Sequence, residues 1–307
     1  MFRRILISVG IGIIIILFFM IAIGQGKIFG QKNRGSFKAR SLYGTAINLQ
    51  SKGNLQEAVK LYQELTEKFP QDQNAAGAWY ELGKIYEKDN KHKEAKTAYL
   101  RVIANFPNYE QIAQVESRLW DVNIKILFSP TLEGKDITYK VEPKDMLIKI
   151  AEKYNTTVDL IMRSNNLKSN LIRPGDRLKI STNKYSVIVD KSQNSLTLKA
   201  DDEIFKVYSV ATGKYNCTPV GNFKIVEKLK NPDWYKGGEG IIPASSPENI
   251  LGTRWLGLSE PQYGIHGGAK TEDLGKHITN GCVRMLNADV EELFTILPRG
   301  TEVTIVD

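Results

Sequence analysis

Three patterns of apolar and polar residues succeed one another along the chain, and each predicts a different kind of element. Ile5 to Ile23 is a run of nineteen residues without a charge. At about 1.5 Å per residue it is just long enough to cross a bilayer core. It exceeds the roughly 7–15 residue apolar region of a cleaved leader, so residues 1–26 are expected to be a retained transmembrane anchor. Residues 27–36 are polar and contain glycine, which predicts a spacer. Between residues 37 and 127 apolar positions recur at i, i+3, i+4 and i+7, as in Ala58-Leu61-Tyr62-Leu65, Trp79-Leu82-Gly83-Tyr86 and Ala95-Ala98-Tyr99-Val102. Each set draws a stripe along one helix face. Residues 137–181 change register again. Thr138–Val141 reads as a strand, Leu147-Ile150-Ala151-Tyr154 as a short helical stripe, and Thr157 as the cap of a second helix ending near Asn165. A Pro174-Gly175-Asp176 turn then leads into a strand at Arg177–Ile180. From Tyr185 onward alternation takes over, in Tyr185-Val187-Val189, Leu196-Leu198, Phe205-Val207, Phe223-Ile225 and Val303-Ile305. Apart from a helical stretch at Ala288–Leu297, residues 185–307 predict an all-β sandwich or barrel.

The helical segment also repeats. Gly53/Asn90, Glu57/Glu94, Ala58/Ala95, Tyr62/Tyr99 and the pairs Phe69-Pro70 and Phe106-Pro107 recur at a spacing of 37. Small residues let paired helices approach, and each Phe-Pro ends a helix because proline cannot continue it. The segment resembles tetratricopeptide repeats, and two readings stay open: a groove for a protein partner, or a layer that only positions the rest of the chain. Residues 137–181, with Asn165-Asn166-Leu167 and the late Pro-Gly turn, resemble a LysM module. That resemblance implies a βααβ fold binding N-acetylglucosamine-containing glycan. The sequence departs from the family at Pro143 and Met146, where glycine and threonine are usual.

Charge and composition narrow the partners. The formal net charge is +8, which favours anionic surroundings, but no nucleic-acid motif accompanies it and no nucleic-acid partner is expected. Arg3 and Arg4 precede the apolar run, while Lys27, Lys32, Arg34, Lys38 and Arg40 come after it. Charge counting alone therefore does not favour an outside C-terminus. Two cysteines, Cys217 and Cys282, cannot form a disulfide framework for a chain of 307 residues. One bridge between them remains possible, and Cys217 otherwise reads as a small buried hydrophobe.

Reactive side chains concentrate late. His266, His277 and Cys282 fall within seventeen residues, HGGAKTEDLGKHITNGC. A thiol near neutral pH needs a base, and His266 is available to serve as one. Gly281 lets the backbone approach a substrate, and its N–H with that of Cys282 could face a developing oxyanion. A zinc site from His266, His277 and Cys282 lacks a fourth ligand at regular spacing, and no metal is expected. An inert buried cysteine beside structural histidines fits the spacing as well.

Tyr263 to Met285 resembles the signature of YkuD-type L,D-transpeptidases: HG, about fourteen residues, then Ser/Thr-x-Gly-Cys-x-Arg. ATGKYNCTPVGNFKI (Ala211–Ile225) and GTRWLGLS (Gly252–Ser259) resemble further blocks of that family. The resemblance implies Cys282 as nucleophile on the carbonyl before the terminal D-alanine of a tetrapeptide stem, and His266 as the proton acceptor and donor. It implies Gly281 in the oxyanion loop and Thr279 as loop support. Arg284, Tyr263, Trp255, Gly267 and His277 are expected at the substrate. Arg284 could hold a carboxylate or brace the loop, and Trp255 and Tyr263 could line the cleft or fill the core. No cofactor is implied. Many members carry histidine where this chain has Asn280, so the base role falls to His266. The expected product is a 3→3 cross-link between peptidoglycan stems; water as acceptor would give L,D-carboxypeptidase action, and a silent wall-binding scaffold is the non-enzymatic alternative. The expected architecture is multidomain α and β: transmembrane helix, tetratricopeptide-like helical layer, small βααβ LysM module, and a C-terminal all-β L,D-transpeptidase domain. Its expected place is the cell membrane, single-pass, with the catalytic domain extracytoplasmic.

Overall fold

The computed structural model describes residues 25–236, 238 and 240–307. The anchor expected at Ile5–Ile23 lies outside the described residues. Among the described residues no helix is long and apolar enough to cross a membrane. The chain divides into two compact units, Met1–Asn123 and Ile124–Asp307.

The first unit is helical: α1 (Gln25–Ser51), α2 (Leu55–Lys68), α3 (Gln73–Lys88), α4 (His92–Asn105) and most of α5 (Ile112–Leu127). Helix α1 runs unbroken through residues 27–36, so the expected spacer is helix instead. The spacing of 37 extends from sequence into hydrogen bonding. Tyr62 Oη donates to Gln50 Oε1 at 2.8 Å, and Gln50 Nε2 donates to Glu81 Oε2 at 2.7 Å. One repeat later, Tyr99 Oη donates to Glu87 Oε1 at 2.5 Å, and Arg118 Nη1 donates to the same oxygen at 3.1 Å. Gln50/Glu87, Tyr62/Tyr99 and Glu81/Arg118 are equivalent positions, so the geometry is kept while the polarity changes. Tyr43 and Tyr80 pack on these tyrosines with ring centroids 6.0 and 6.2 Å apart. The turns match too: Gly53 and Asn90 both have positive φ, at 84° and 58°. Gly83 is needed for contact, since a Cβ there would lie 2.3 Å from the Tyr99 ring.

The second unit begins with the end of α5. The LysM segment folds as expected: β1 (Ile137–Lys140), α6 (Leu147–Lys153), α7 (Val158–Ser164) and β2 (Arg177–Ile180), with β1 and β2 antiparallel. Thr157 caps α7, its Oγ1 accepting from Leu160 N at 2.9 Å. Asn165 stitches α7 to β2, accepting from Lys179 N at 2.7 Å and donating to Lys179 O at 2.9 Å. Beside Pro143, the positive φ of the first loop falls on Lys144, at 73°.

Lys179 fixes this module to the preceding helix. Its side chain is 2% exposed and pairs with Asp136, 4% exposed, at 3.1 Å. Its Nζ also donates to the carbonyls of Ile126, Ser129 and Thr131 at 2.8, 3.0 and 2.7 Å. Carbonyls at a helix C-terminus lack intrahelical donors and favour a cation. Residues 128–136 are thus a fastened connector.

The C-terminal portion contains β3 (Tyr185–Asp190), β4 (Ser195–Ala200), β5 (Glu203–Ser209), β6 (Thr212–Gly213), β7 (Gly221–Lys230), β8 (Trp234–Tyr235), β9 (Ile241–Ile242), β10 (Arg254–Leu258), β11 (Gly264–His266), β12 (His277–Thr279), β13 (Val283–Arg284), α8 (Asn287–Ile296) and β14 (Glu302–Val306). Eight strands form one sheet in the order β13-β11-β10-β7-β14-β3-β4-β5. β13 and β5 end this order, with Ala211 bridging Arg284 on the outer side of β13, and the expected sandwich or barrel is a single curled sheet. Val290, Leu293 and Phe294 of α8 cover the apolar face that a second sheet would otherwise cover. Leu160 of α7 joins this same core with Ile124 and Leu127, and Lys230 pairs with Asp159 at 3.0 Å. Residues 137–181 keep a small core of their own, built from Val141, Leu147, Ile150, Ile161 and Ile180, and Leu160 with the Lys230–Asp159 pair ties that core to the larger one.

Removing one member of a buried ion pair leaves an uncompensated charge. Lys179→Met is expected to destabilise the second unit by about 3–5 kcal/mol, read as a lower denaturant midpoint. The double replacement Lys179→Met with Asp136→Leu should recover a large part of that loss. Equal midpoints for wild type and the single variant would remove Lys179 from this role.

Candidate active site

The site grows out of strand alternation. β13 pairs in parallel with β11, setting Ile265 beside Val283 and His266 beside Arg284. Ile265 and Val283 are buried in the core. His266 and Arg284 therefore project from the opposite face, and one step back Cys282 stands beside Gly264 on that same face. The nucleophile candidate and the base candidate are thus brought to adjacent strands. A cavity of about 750 Å³ opens over them, its wall including Cys282, His266, Arg284, Trp255, Asn280 and Gln262.

His266 is 2% exposed. Its Nδ1 lies 2.8 Å from the Gly267 carbonyl, so the neutral ring donates there and keeps its lone pair on Nε2. Burial first, then the positive charge of Arg284, lowers its pKa from 6.5 to about 4, against the opposing pull of the Gly267 and Leu251 carbonyls. Cys282 is half-buried, and its Sγ donates to Gln262 O at 3.6 Å. Burial pushes its thiol pKa up, with the Gly264 N–H and Arg284 working the other way. Both groups therefore rest neutral near pH 7, a thiol and an imidazole, rather than a thiolate and an imidazolium.

The loop before Cys282 is braced by one hydroxyl. Thr279 Oγ1 donates to Cys282 O at 2.6 Å and accepts from Gly281 N at 3.2 Å. The Gly281 N–H is thereby engaged within the loop. Gly281 also shapes the turn through its backbone: its φ is +121°, and a Cβ there would meet Tyr263 at 2.5 Å. Tyr263 itself packs against the core and backs the loop instead of lining the cavity. Arg284 lines the cavity, and its Nε is buried without a hydrogen-bond partner among the described residues.

Two further expected substrate residues lie elsewhere. His277 sits on β12, its Nδ1 2.9 Å from Thr212 Oγ1 and its Nε2 3.3 Å from Asn194 Nδ2. It ties β12 to β6 and does not line the cavity. Gly267 supplies the carbonyl for His266 and packs tightly, since a Cβ would lie 2.2 Å from Asn287 Oδ1. Cys217 is exposed and unbridged, not a buried hydrophobe, with its Sγ 4.0 Å from Thr279 O. Sequence reasoning missed Gln262, Glu227, Leu251 and the β8–β9 ribbon that contributes Trp234 and Tyr235 to the wall. Only the positive φ of Gln262, 72°, is special locally, and no residue pattern announces it. Among the described residues no cluster suited to a metal occurs.

With this geometry in view, comparison with known proteins is specific. Residues 184–305 match the model for the L,D-transpeptidase catalytic domain (YkuD), 139–181 that for the LysM domain, and 49–119 that for a tetratricopeptide repeat. The protein named Putative L,D-transpeptidase YqjB of Bacillus subtilis is 43% identical over 127 residues, 39% of this chain and 70% of the relative. Putative L,D-transpeptidase YkuD of the same species is 33% identical over 176 residues, covering 55% of this chain and 98% of the relative. A solved L,D-transpeptidase from Mycobacterium smegmatis aligns with TM-score 0.35 and 17% identity over 43% of this chain and 64% of that one. Built on a half-buried cysteine and a neutral histidine at adjacent strands, and matched along nearly the whole length of a known relative, the chain belongs to the YkuD family of L,D-transpeptidases.

Proposed function

We propose that this L,D-transpeptidase cross-links peptidoglycan by a two-step transfer through Cys282. The observation that carries the reading is the placement of Cys282, His266 and Arg284 on one face of β11 and β13, within one cavity. His266 Nε2 takes the Cys282 proton as sulfur attacks the carbonyl that precedes the terminal D-alanine of a tetrapeptide stem. The Cys282 amide, which meets no backbone acceptor among the described residues, faces the developing oxyanion. As the carbon–nitrogen bond breaks, His266 returns the proton to the departing D-alanine nitrogen, leaving a thioester. An amine of a neighbouring stem then attacks, and His266 accepts its proton and passes it to the sulfur as the carbon–sulfur bond breaks, giving a 3→3 cross-link and the free thiol. Arg284 is the group for a stem carboxylate, since a guanidinium forks onto two oxygens.

The LysM module adds glycan recognition beside the catalytic cavity's own unit, holding the enzyme on its polymeric substrate. The helical repeats are the surface for a protein partner. The uncharged run Ile5–Ile23 supports a single-pass membrane anchor, and the location of peptidoglycan supports an extracytoplasmic catalytic domain.

Four outcomes are expected. Full-length protein incubated with tetrapeptide muropeptides should release D-alanine and yield dimers of the 3→3 mass, with Cys282→Ser inactive but folded; release of D-alanine with tripeptide as the sole product would make water the acceptor. The acid limb of kcat/KM should lie near the lowered His266 pKa of about 4 rather than 6.5. Stability should change in the same window: between 6.5 and about 4 the unfolded chain takes up a proton at this residue that the folded chain refuses, so stability falls as pH drops through it. An acid limb at the ordinary histidine value would count against His266 as the buried base. Finally, the intact chain should sediment with membranes while external protease reaches the catalytic domain in wall-stripped cells, and full protection would reverse the topology.

A further inference from the structure

On the cavity side, consecutive strands β7, β10, β11 and β13 present their side chains in two rows. One row reads Leu229, Trp255, His266, Arg284 across the register. The next reads Glu227, Gly257, Gly264, with Cys282 one step along the β11–β13 pairing. The two glycines in the middle leave a trough, and the Trp255 indole fills it. A Cβ on Gly264 would lie 2.5 Å from the indole's Cη2, and one on Gly257 would lie 2.8 Å from its Nε1. The indole therefore lies flat over both, its N–H end toward Glu227 and its benzo edge toward the Cys282 column.

Both ends of this ring are engaged. Trp255 Nε1 donates to Glu227 Oε2 at 3.1 Å. The ring also stacks on the His266 imidazole, with centroids 5.9 Å apart and planes 28° apart. Glu227 reaches this position through an irregularity: the β7–β10 register shifts between Gly257 and Leu258, leaving Val226 as an extra residue. That bulge lets Ile225 enter the core while Glu227 turns to the cavity. The charged groups facing His266 are Arg284 from β13, Glu227 from β7 beyond the indole, and Asp233 across the cavity before β8. The loop at Leu251 and the residue Gly267 contribute carbonyls, and α8 covers the other face of the sheet.

Resting on the acyl-transfer reading above, we infer that Glu227 is a positioning residue: its carboxylate holds the Trp255 indole, and the indole fixes the plane of His266 and excludes water from it. Glu227 touches neither substrate nor the reacting atoms in this role. Its hydrogen-bond acceptor matters, and its charge does not.

The test compares full-length wild type with Glu227→Leu, Glu227→Gln and Trp255→Phe. Turnover kinetics are measured together with the NMR titration of the His266 ring, which needs no substrate. Glu227→Leu should lower kcat by roughly tenfold to a hundredfold, the scale of a small misplacement of a reacting group, with KM little changed. Its His266 pKa should rise from about 4 toward 6.5, because a loosened indole readmits water to the imidazolium. Glu227→Gln keeps a carbonyl acceptor and should restore most of both readouts. Trp255→Phe keeps an aromatic stack but no donor, and should resemble Glu227→Leu. Wild-type kcat and His266 titration in Glu227→Leu or Trp255→Phe would overturn the inference. So would a Glu227→Gln variant as impaired as Glu227→Leu with its loss confined to KM, which would make Glu227 a charged substrate contact. A wild-type chain without transfer activity would instead defeat the acyl-transfer reading, leaving the titration arm to judge Glu227.

Discussion

Alternation along four hydrogen-bonded strands decides what this enzyme can do. A strand sends successive side chains to opposite faces, so a slip of one residue exchanges the two sets entirely. Here one face is claimed by α8 and the apolar set Leu256, Ile265 and Val283, all buried. The other face is then left to Trp255, His266, Arg284 and Cys282. Parallel pairing of β13 with β11 is the tightest part of this constraint, because it sets Arg284 beside His266 and carries Cys282 to the neighbouring column. The bulge between β7 and β10 is the compensating irregularity, adding Glu227 to the same face.

Burial then sets the electrostatics. An imidazole that is 2% exposed beside a guanidinium cannot readily accept a proton, and a thiol in the same setting cannot readily lose one. A resting ion pair is therefore disfavoured, and proton transfer belongs to the moment of attack. The surrounding loop is organised for that step by few atoms. Thr279's hydroxyl joins the Gly281 amide to the Cys282 carbonyl, and a glycine with positive φ lets Tyr263 back the turn. His277, which by sequence alone competes for a chemical role, is occupied with Thr212 and Asn194.

The accessory elements show the same economy of contacts. Lys179 neutralises Asp136 and satisfies the carbonyls that end α5, so the LysM module begins from an anchored connector. Leu160 takes part in the catalytic core while the rest of the LysM module packs around its own cluster of Val141, Ile150, Ile161 and Ile180, so its side chain joins the two. In the helical unit, repetition at 37 residues preserves a tyrosine-centred hydrogen-bond layer even as Gln50 becomes Glu87 and Glu81 becomes Arg118.

Local patterns were legible in the residues themselves. Helical stripes, the βααβ order, the alternation after Tyr185 and the ordered motifs around Cys282 depend on near neighbours in the chain, where periodicity and turn chemistry act. The signature that singles out Cys282 and His266 likewise spans a short stretch, and the structure places both residues in the wall of one cavity. The sequence did not show that the strands make one sheet with a helix against it, because counting strands cannot say what covers their apolar face. It did not show that residues 27–36 continue a helix, since glycine and polar residues there are tolerated within a long one. Nor could it separate cavity from scaffold among Tyr263, His277, Gly267 and Trp255, or single out Glu227. Those assignments depend on register across strands distant in sequence and on one inserted residue, and only tertiary packing specifies either.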